Sequence, residues 1–129
     1  MLTVMKFGGS SMGSADALRK VADIIMSTEG DKVVVVSAVA GVTNFLMGSV
    51  ERENIDYEDV LRSFSGVHLE IAEQLLDGEF MEGFLREFNA RMVSFERALR
   101  GDRGDPFYKD AISSSGERFS SLILSHMLK

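Results

Sequence analysis

The chain has 129 residues, of which 45% are hydrophobic and 26% charged, a composition that indicates one folded domain or part of one and excludes intrinsic disorder. Its 14 Lys and Arg and 20 Asp and Glu give a net charge of −6, which argues against nucleic-acid binding and anionic membrane surfaces but permits a small phosphorylated ligand. With no cysteine, no visible signal peptide and no long apolar span, disulfides and thiolate metal sites are excluded, and we expect a cytoplasmic protein.

The first predicted element is a strand over Leu2–Phe7, ended by a tight turn that begins with Gly8 and Gly9. Lys6 lies inside this apolar strand, where burial is costly unless an anion meets the ammonium group. The two glycines allow close backbone approach, and a helix capped by Ser14 would direct its N-terminus at the same place. These features favour a phosphate site, although the order differs from a Walker A motif. The alternative is an edge lysine that extends into solvent.

The next elements are a helix ended by Gly30 and a strand over Lys32–Ser37. This strand contains four consecutive valines, a β-branched run typical of a strand covered on both faces in a parallel sheet. Strand, loop, helix and strand form the unit of α/β folds, whose crossover is expected to be right-handed.

A second candidate site follows that strand, over Ser37–Asn44. Ligands of open α/β sheets bind at the carboxyl ends of strands, and here Ser37 and Thr43 offer hydroxyl groups while Gly41 offers flexibility. The alternative is a capping turn in which Thr43 or Asn44 begins a helix.

The rest of the chain is predicted to be mostly helical, with apolar residues at steps of three and four. Its Phe and Met residues are interpreted as helix-packing residues, and His68 and His126 as ordinary helix residues without metal or triad partners. The predicted elements are a helix over Val42–Val50, one from Asp56 to about Leu76, a break at Gly78, an amphipathic helix over Met81–Leu99, a loop over 101–106 and a final helix over about Phe107–Leu128.

The third candidate site lies in the final helix, where small residues surround one carboxylate. Ser113, Glu117 and Ser120 share a stripe at helical spacing, while Ile112 and Phe119 belong to a packed face. Small neighbours leave room for a ligand group beside Glu117. The alternative is a surface helix in which Glu117 pairs with Arg118 or water.

Taken together and in this order, the three segments resemble the N-terminal motifs of aspartate kinases in the amino-acid kinase superfamily. The segments are KFGGSS from Lys6, SAVAGVTN from Ser37 and SGERFSS from Ser115. The first motif alone indicates the superfamily, and the other two narrow the resemblance to aspartokinases. Ser10 stands where threonine is commonest, which is a conservative departure.

The resemblance implies a three-layer αβα fold of the carbamate-kinase type, here only its N-terminal portion with few parallel strands and a helix-rich second half. It also implies phosphorylation of the side-chain carboxylate of L-aspartate by ATP with Mg²⁺. In that picture Lys6 meets the transferring phosphoryl group, and Gly8, Gly9 and Ser10 approach the ATP phosphates. Ser37 and Thr43 belong to the aspartate pocket, and Glu117 holds the substrate's amino group. No metal-ligand cluster is visible, so ATP itself would hold the ion.

Aspartokinase catalytic domains are longer than this chain and are usually followed by regulatory ACT domains. We therefore expect residues 1–129 to be an inactive N-terminal portion, and the full-length enzyme to be a homo-oligomer. One alternative is a superfamily enzyme acting on acetylglutamate, glutamate, carbamate or a nucleoside monophosphate. Another is a non-catalytic regulatory or assembly module. A dinucleotide-binding Rossmann domain fits less well, because the spaced three-glycine fingerprint is missing.

Overall fold

Two parallel strands and six α-helices make up the computed structural model, which describes all 129 residues. A single 3₁₀ turn over Gly9–Met12 follows the first strand. None of the helices combines the length and the apolar character needed to cross a bilayer. The elements are β1 (Leu2–Phe7), α1 (Ala15–Ser27), β2 (Asp31–Val36), α2 (Val42–Val50), α3 (Tyr57–Leu75), α4 (Gly78–Leu99), α5 (Tyr108–Ser113) and α6 (Ser115–Met127).

Local signals explain most element boundaries. The Ser14 hydroxyl caps α1 by accepting a hydrogen bond from the Ala17 N–H at 3.1 Å, and the Asp56 carboxylate caps α3 in the same way. Helix α1 ends at Ser27 with Thr28 as its cap, so Gly30 does not close the helix as predicted. With φ of +85°, Gly30 instead forms the turn into β2.

The strands pair in parallel register from Leu2 opposite Asp31 to Phe7 opposite Val36, so their carboxyl ends coincide. Only one face of this sheet is covered. Val36 is buried, whereas Val33 and Val35 are each 48% exposed. The prediction that β2 is covered on both faces is therefore wrong for this chain, because its helices pack on one another and on a single face of the sheet.

The helices share an aromatic core that confirms the predicted packing role of the phenylalanines. Phe64 of α3 stacks on Phe95 of α4 with ring centroids 4.3 Å apart, and it meets the edge of Phe119 of α6 at 4.8 Å. All three rings are at least 97% buried. Helix α6 also contacts β2, so the aromatic core and the sheet are joined through this helix.

The last segment is two helices rather than the predicted single one. Three successive serine hydroxyls donate hydrogen bonds back to carbonyl groups three or four residues earlier, Ser114 to Ala111 at 3.2 Å and Ser115 to Ala111 at 3.0 Å among them. Such back-bonding competes with regular helical geometry and bends helices. The chain turns at Ser114, and α6 begins anew with Glu117 in its first turn.

Candidate functional site

The three segments predicted from the sequence meet at the peptide groups of Ser37. The Ser37 N–H donates a hydrogen bond to the carbonyl of Phe7, the last residue of β1, at 3.0 Å. The Ser37 carbonyl accepts a hydrogen bond of 2.7 Å from the hydroxyl of Ser120, which lies 83 residues further along the chain. The end of β1, the end of β2 and the start of α6 are thus held together at one residue.

Lys6 lies on the uncovered face of the sheet, opposite Val35 in the strand register. Its side chain is exposed and makes neither a hydrogen bond nor an ion pair within the chain. The premise that this lysine is buried in an apolar strand is therefore wrong here. This geometry matches the alternative of an edge lysine that extends into solvent, and it leaves the ammonium group available to an external anion.

The glycine turn after β1 has no explanation in the packing of this chain. Gly8 adopts an extended backbone conformation, with φ of −82° and ψ of −177°. A Cβ built on Gly8 or Gly9 would meet no atom within 4 Å. Bare backbone faces open space at both positions, which fits close approach of a ligand. A 3₁₀ turn over Gly9–Met12 lies between the glycines and the start of α1, which Ser14 caps as predicted.

Ser37 and Thr43 bracket the segment after β2, and both are half-buried. Gly41, with φ of +84°, is the N-cap of α2, which begins at Val42, so the segment is a capping turn into a helix that starts one residue earlier than the Thr43 of the alternative. Neither the Ser37 nor the Thr43 hydroxyl makes a hydrogen bond within the chain. Two half-buried hydroxyl groups therefore remain free to bind a ligand.

Glu117 is exposed in the first turn of α6 and forms no ion pair, so it does not pair with Arg118, and the alternative of a surface carboxylate in contact with water stays open. The residue before it, Gly116, is buried against the segment that follows β2. A Cβ at Gly116 would lie only 2.6 Å from the Cβ of Ala38, a distance that real side chains do not tolerate. This contact places the first turn of α6, which carries Glu117, against the Ser37 segment.

The carboxyl ends of β1 and β2 and the adjoining start of α6 form an open surface, here called the shelf, rather than an enclosed pocket. Lys6, Ser37, Thr43 and Glu117 do not line any of the five principal clefts, and only Ser10 borders one, together with α1. The chain also brings no three His, Asp or Glu side chains together in a way that could hold a metal ion. The shelf carries one ammonium group on the uncovered side of the sheet and, beside it along the strand ends, one carboxylate, two hydroxyls and exposed backbone.

The two histidines, interpreted as ordinary helix residues, are both buried. His68 lies in the aromatic core with its Nδ1 2.7 Å from the Phe64 carbonyl oxygen and its Nε2 without a partner. Desolvation lowers the pKa of His68, and the hydrogen bond to Phe64 offsets part of this effect. His126 lies with its Nε2 3.5 Å from the Glu87 carboxylate. The spacing of His68 from Phe64 along the apolar stripe of α3 is the sequence signal that could have indicated its burial.

Comparison with known proteins gives consistent relatives. The profile of the amino acid kinase family matches residues 1–129. Lysine-sensitive aspartokinase 3 of Escherichia coli is 31% identical over 136 residues, covering 99% of this chain and 28% of that protein. Putative inactive aspartokinase 3 of Haemophilus influenzae is 36% identical over 100 residues, covering 73% of this chain and 74% of that protein.

Other relatives are much longer than this chain. It aligns over its whole length, at 30% identity, with bifunctional aspartokinase/homoserine dehydrogenase 1 of Zea mays, and spans 15% of that protein. Among solved structures, E. coli aspartokinase III in complex with lysine and aspartate matches with a TM-score of 0.81 and 27% identity, covering 98% of this chain and 28% of that one. The same enzyme in complex with aspartate and ADP matches with a TM-score of 0.76, also at 27% identity, covering 99% and 29%.

Proposed function

The chain belongs to the amino acid kinase family, in which it corresponds to the N-terminal part of an aspartokinase, and on this premise we propose that it carries the L-aspartate pocket and the phosphate loop of that enzyme. The reaction would be ATP-dependent phosphorylation of the side-chain carboxylate of L-aspartate to 4-phospho-L-aspartate, the first step towards lysine, threonine and methionine. The observation that carries the proposal is the convergence of all three motifs at Ser37.

In this proposal Lys6 stabilises the charge that develops on the transferring phosphoryl group, while Gly8, Gly9 and Ser10 approach the ATP phosphates. Phosphoryl transfer depends on positioning and charge stabilisation more than on a protein nucleophile, so a lysine and bare backbone are suitable groups. Support comes from the unpaired Lys6 ammonium and from the open space beside both glycines.

The remaining site residues would bind the amino acid. L-Aspartate brings one ammonium group and two carboxylates, and the shelf offers a carboxylate at Glu117 and hydroxyl donors at Ser37 and Thr43. Glu117 would pair with the substrate ammonium in a charge-assisted hydrogen bond, and the hydroxyls would donate to a substrate carboxylate. The absence of any competing internal partner for these three side chains supports the assignment.

The residues described here do not fit a dedicated Mg²⁺ site, since no three carboxylate or imidazole groups cluster. The ion would be carried by the phosphates of ATP.

Experiment separates the kinase from one second candidate function. The relative from H. influenzae, named a putative inactive aspartokinase, favours a non-catalytic module as the second candidate. Because the shelf is open, we expect no turnover from residues 1–129 alone under either reading. Turnover restored by adding the C-terminal half of an aspartokinase catalytic domain would support the kinase, while binding of L-aspartate without any restored turnover would support the module.

Calorimetric titration of the 129-residue chain tests the substrate directly. We expect saturable binding of L-aspartate and none of N-acetyl-L-glutamate, which lacks the free ammonium group. Glu117→Gln should weaken L-aspartate binding by about tenfold or more, the effect of losing a charged hydrogen bond, and leave ATP binding unchanged. Glu82→Gln, at an exposed and unpaired glutamate of α4, is the matched control. Unchanged L-aspartate affinity in Glu117→Gln would refute the pocket.

The role of Lys6 is tested in the reconstituted enzyme. Lys6→Ala should reduce kcat far more than it changes the KM for aspartate, because the lysine acts on the phosphoryl group and not on the amino acid. An equal loss in both parameters, or none, would exclude this role.

A further inference from the structure

We propose that Ser120, together with Gly116, is a positioning residue that fixes the backbone of Glu117 relative to Ser37. The inference rests on the proposed function, because it takes Glu117 and Ser37 as parts of one aspartate pocket. It adds two residues that contact no substrate and act through the backbone of α6 and of the segment after β2.

Ser120 differs from every other helix serine in what its hydroxyl binds. The hydroxyls of its neighbours Ser121 and Ser125 donate to carbonyl groups of their own helix, at 3.1 and 2.8 Å. The Ser120 hydroxyl is completely buried and donates to the Ser37 carbonyl at 2.7 Å, while the carbonyl of Glu117 lies 3.3 Å away as a weaker second acceptor. One hydroxyl group therefore touches the backbone of both proposed pocket residues.

Gly116 provides the second attachment. Its backbone approaches Ala38 so closely that an added Cβ would lie 2.6 Å from the Ala38 Cβ. Gly116 precedes Glu117 by one residue and Ser120 follows it by three, so the first turn of α6 is held on both sides of the carboxylate. The two contacts fall on consecutive residues, Ser37 and Ala38, of the segment after β2.

These contacts keep the backbone that carries the exposed Glu117 side chain at a fixed place beside Ser37. Glu117 has no side-chain partner of its own to orient it, so its position depends on the backbone that carries it. A pocket for a small amino acid needs its groups placed within a fraction of an ångström, and such placement comes from supporting residues rather than from the binding groups.

The test compares Ser120→Ala with Ser121→Ala in the 129-residue chain. Each variant removes one serine hydroxyl from α6, but only the first breaks the link to Ser37. We expect Ser120→Ala to bind L-aspartate about fivefold more weakly and to exchange the amide hydrogens of residues 37–44 faster, with ATP binding unchanged. Ser121→Ala should match the wild type in all three measurements.

Ser120→Cys keeps the test valid if the alanine variant folds poorly. The thiol is somewhat larger than the hydroxyl and only a weak donor, so the core stays filled while the hydrogen bond is lost. We expect this variant to fold like the wild type and to bind L-aspartate as weakly as Ser120→Ala.

Three results would overturn the proposal or separate it from the function on which it rests. Wild-type affinity and exchange in both Ser120 variants would overturn it. Equal loss of L-aspartate and ATP binding, with faster exchange throughout the chain, would assign Ser120 a purely structural role and also overturn it. If the wild type fails to bind L-aspartate, the proposed function fails, and unchanged exchange of residues 37–44 in the variants would then independently refute the Ser120 link.

Discussion

The aromatic core of α3, α4 and α6 differs from the carboxyl end of the sheet in whether its side chains find partners within the chain. In the core, Phe64, Phe95 and Phe119 are buried against one another. At the sheet end, polar side chains such as Glu117 lack partners, Val35 is half exposed, and two glycines have no conformational or packing reason to be glycine. Packing within the chain explains the residues of the core but not those of the sheet end. The side chains and bare backbone without internal partners are the groups that a ligand would contact.

The largest effect is expected where the core is densest. Phe64→Ala should lower the free energy of unfolding by about 3–5 kcal/mol, because it removes a ring that is 99% buried and leaves a cavity between α4 and α6. Phe107→Ala is the control, since that ring is 72% exposed and its loss should cost little. Urea denaturation of the two variants measures the difference, and similar midpoints would show that the aromatic cluster is not the centre of the core.

The core was predictable because its signals are local. The apolar spacing of α4 and the caps at Ser14 and Asp56 lie within a few residues of the elements they determine, and the structure confirms each of them. The cover of β2 was not predictable in the same way. Four valines in a row indicate burial on both faces, but which helices are present to cover each face is a property of the whole fold.

The site was predictable as a set of residues and much less as a geometry. Its motifs were recognised by resemblance, and neither spacing nor composition indicated that Ser37 joins them. The link through Ser120 spans 83 residues, and nothing in the local sequence distinguishes this serine from the four others between positions 113 and 121. The burial of His68 was not predicted, because a histidine is polar and only its position, four residues after Phe64, indicates that it faces the core.

Gly116 lies where the two regions meet, and the next effect is expected there. Gly116→Ala should destabilise the chain by about 1–2 kcal/mol, since the clash with Ala38 outweighs the gain in helix propensity. Gly66→Ala, in the middle of α3 with open space around the new methyl group, should stabilise it by about 0.5–1 kcal/mol. Thermal denaturation measures the change in stability of both variants. A change of the same sign in the two would contradict the close approach of α6 to the β2–α2 segment.

The buried His68 makes the core sensitive to pH. Since its folded pKa is depressed, the unfolded chain binds more protons below the ordinary pKa of 6.5, and stability falls as pH falls through that value towards the folded pKa. His68 should contribute at most about 1.4 kcal/mol per pH unit in this window and nothing above it. His68→Leu should remove this part of the slope while leaving the carboxylate contributions unchanged. Equal slopes for wild type and variant between pH 5 and 6.5, within the range in which both fold, would show that His68 is not desolvated.

The smallest effect tests whether the sheet face is open in solution. Val35→Thr changes a side chain that is 48% exposed and should alter stability by no more than about 0.5 kcal/mol, whereas Val36→Thr puts a hydroxyl into the covered face and should cost about 1–3 kcal/mol. The two valines are adjacent in one strand and have the same β propensity, so strand formation cancels in the comparison. Equal losses, measured by urea denaturation at two protein concentrations, would mean that Val35 is also buried in solution. If that loss also depended on concentration, the cover would be a second copy of the chain, because only then would dilution expose the valine.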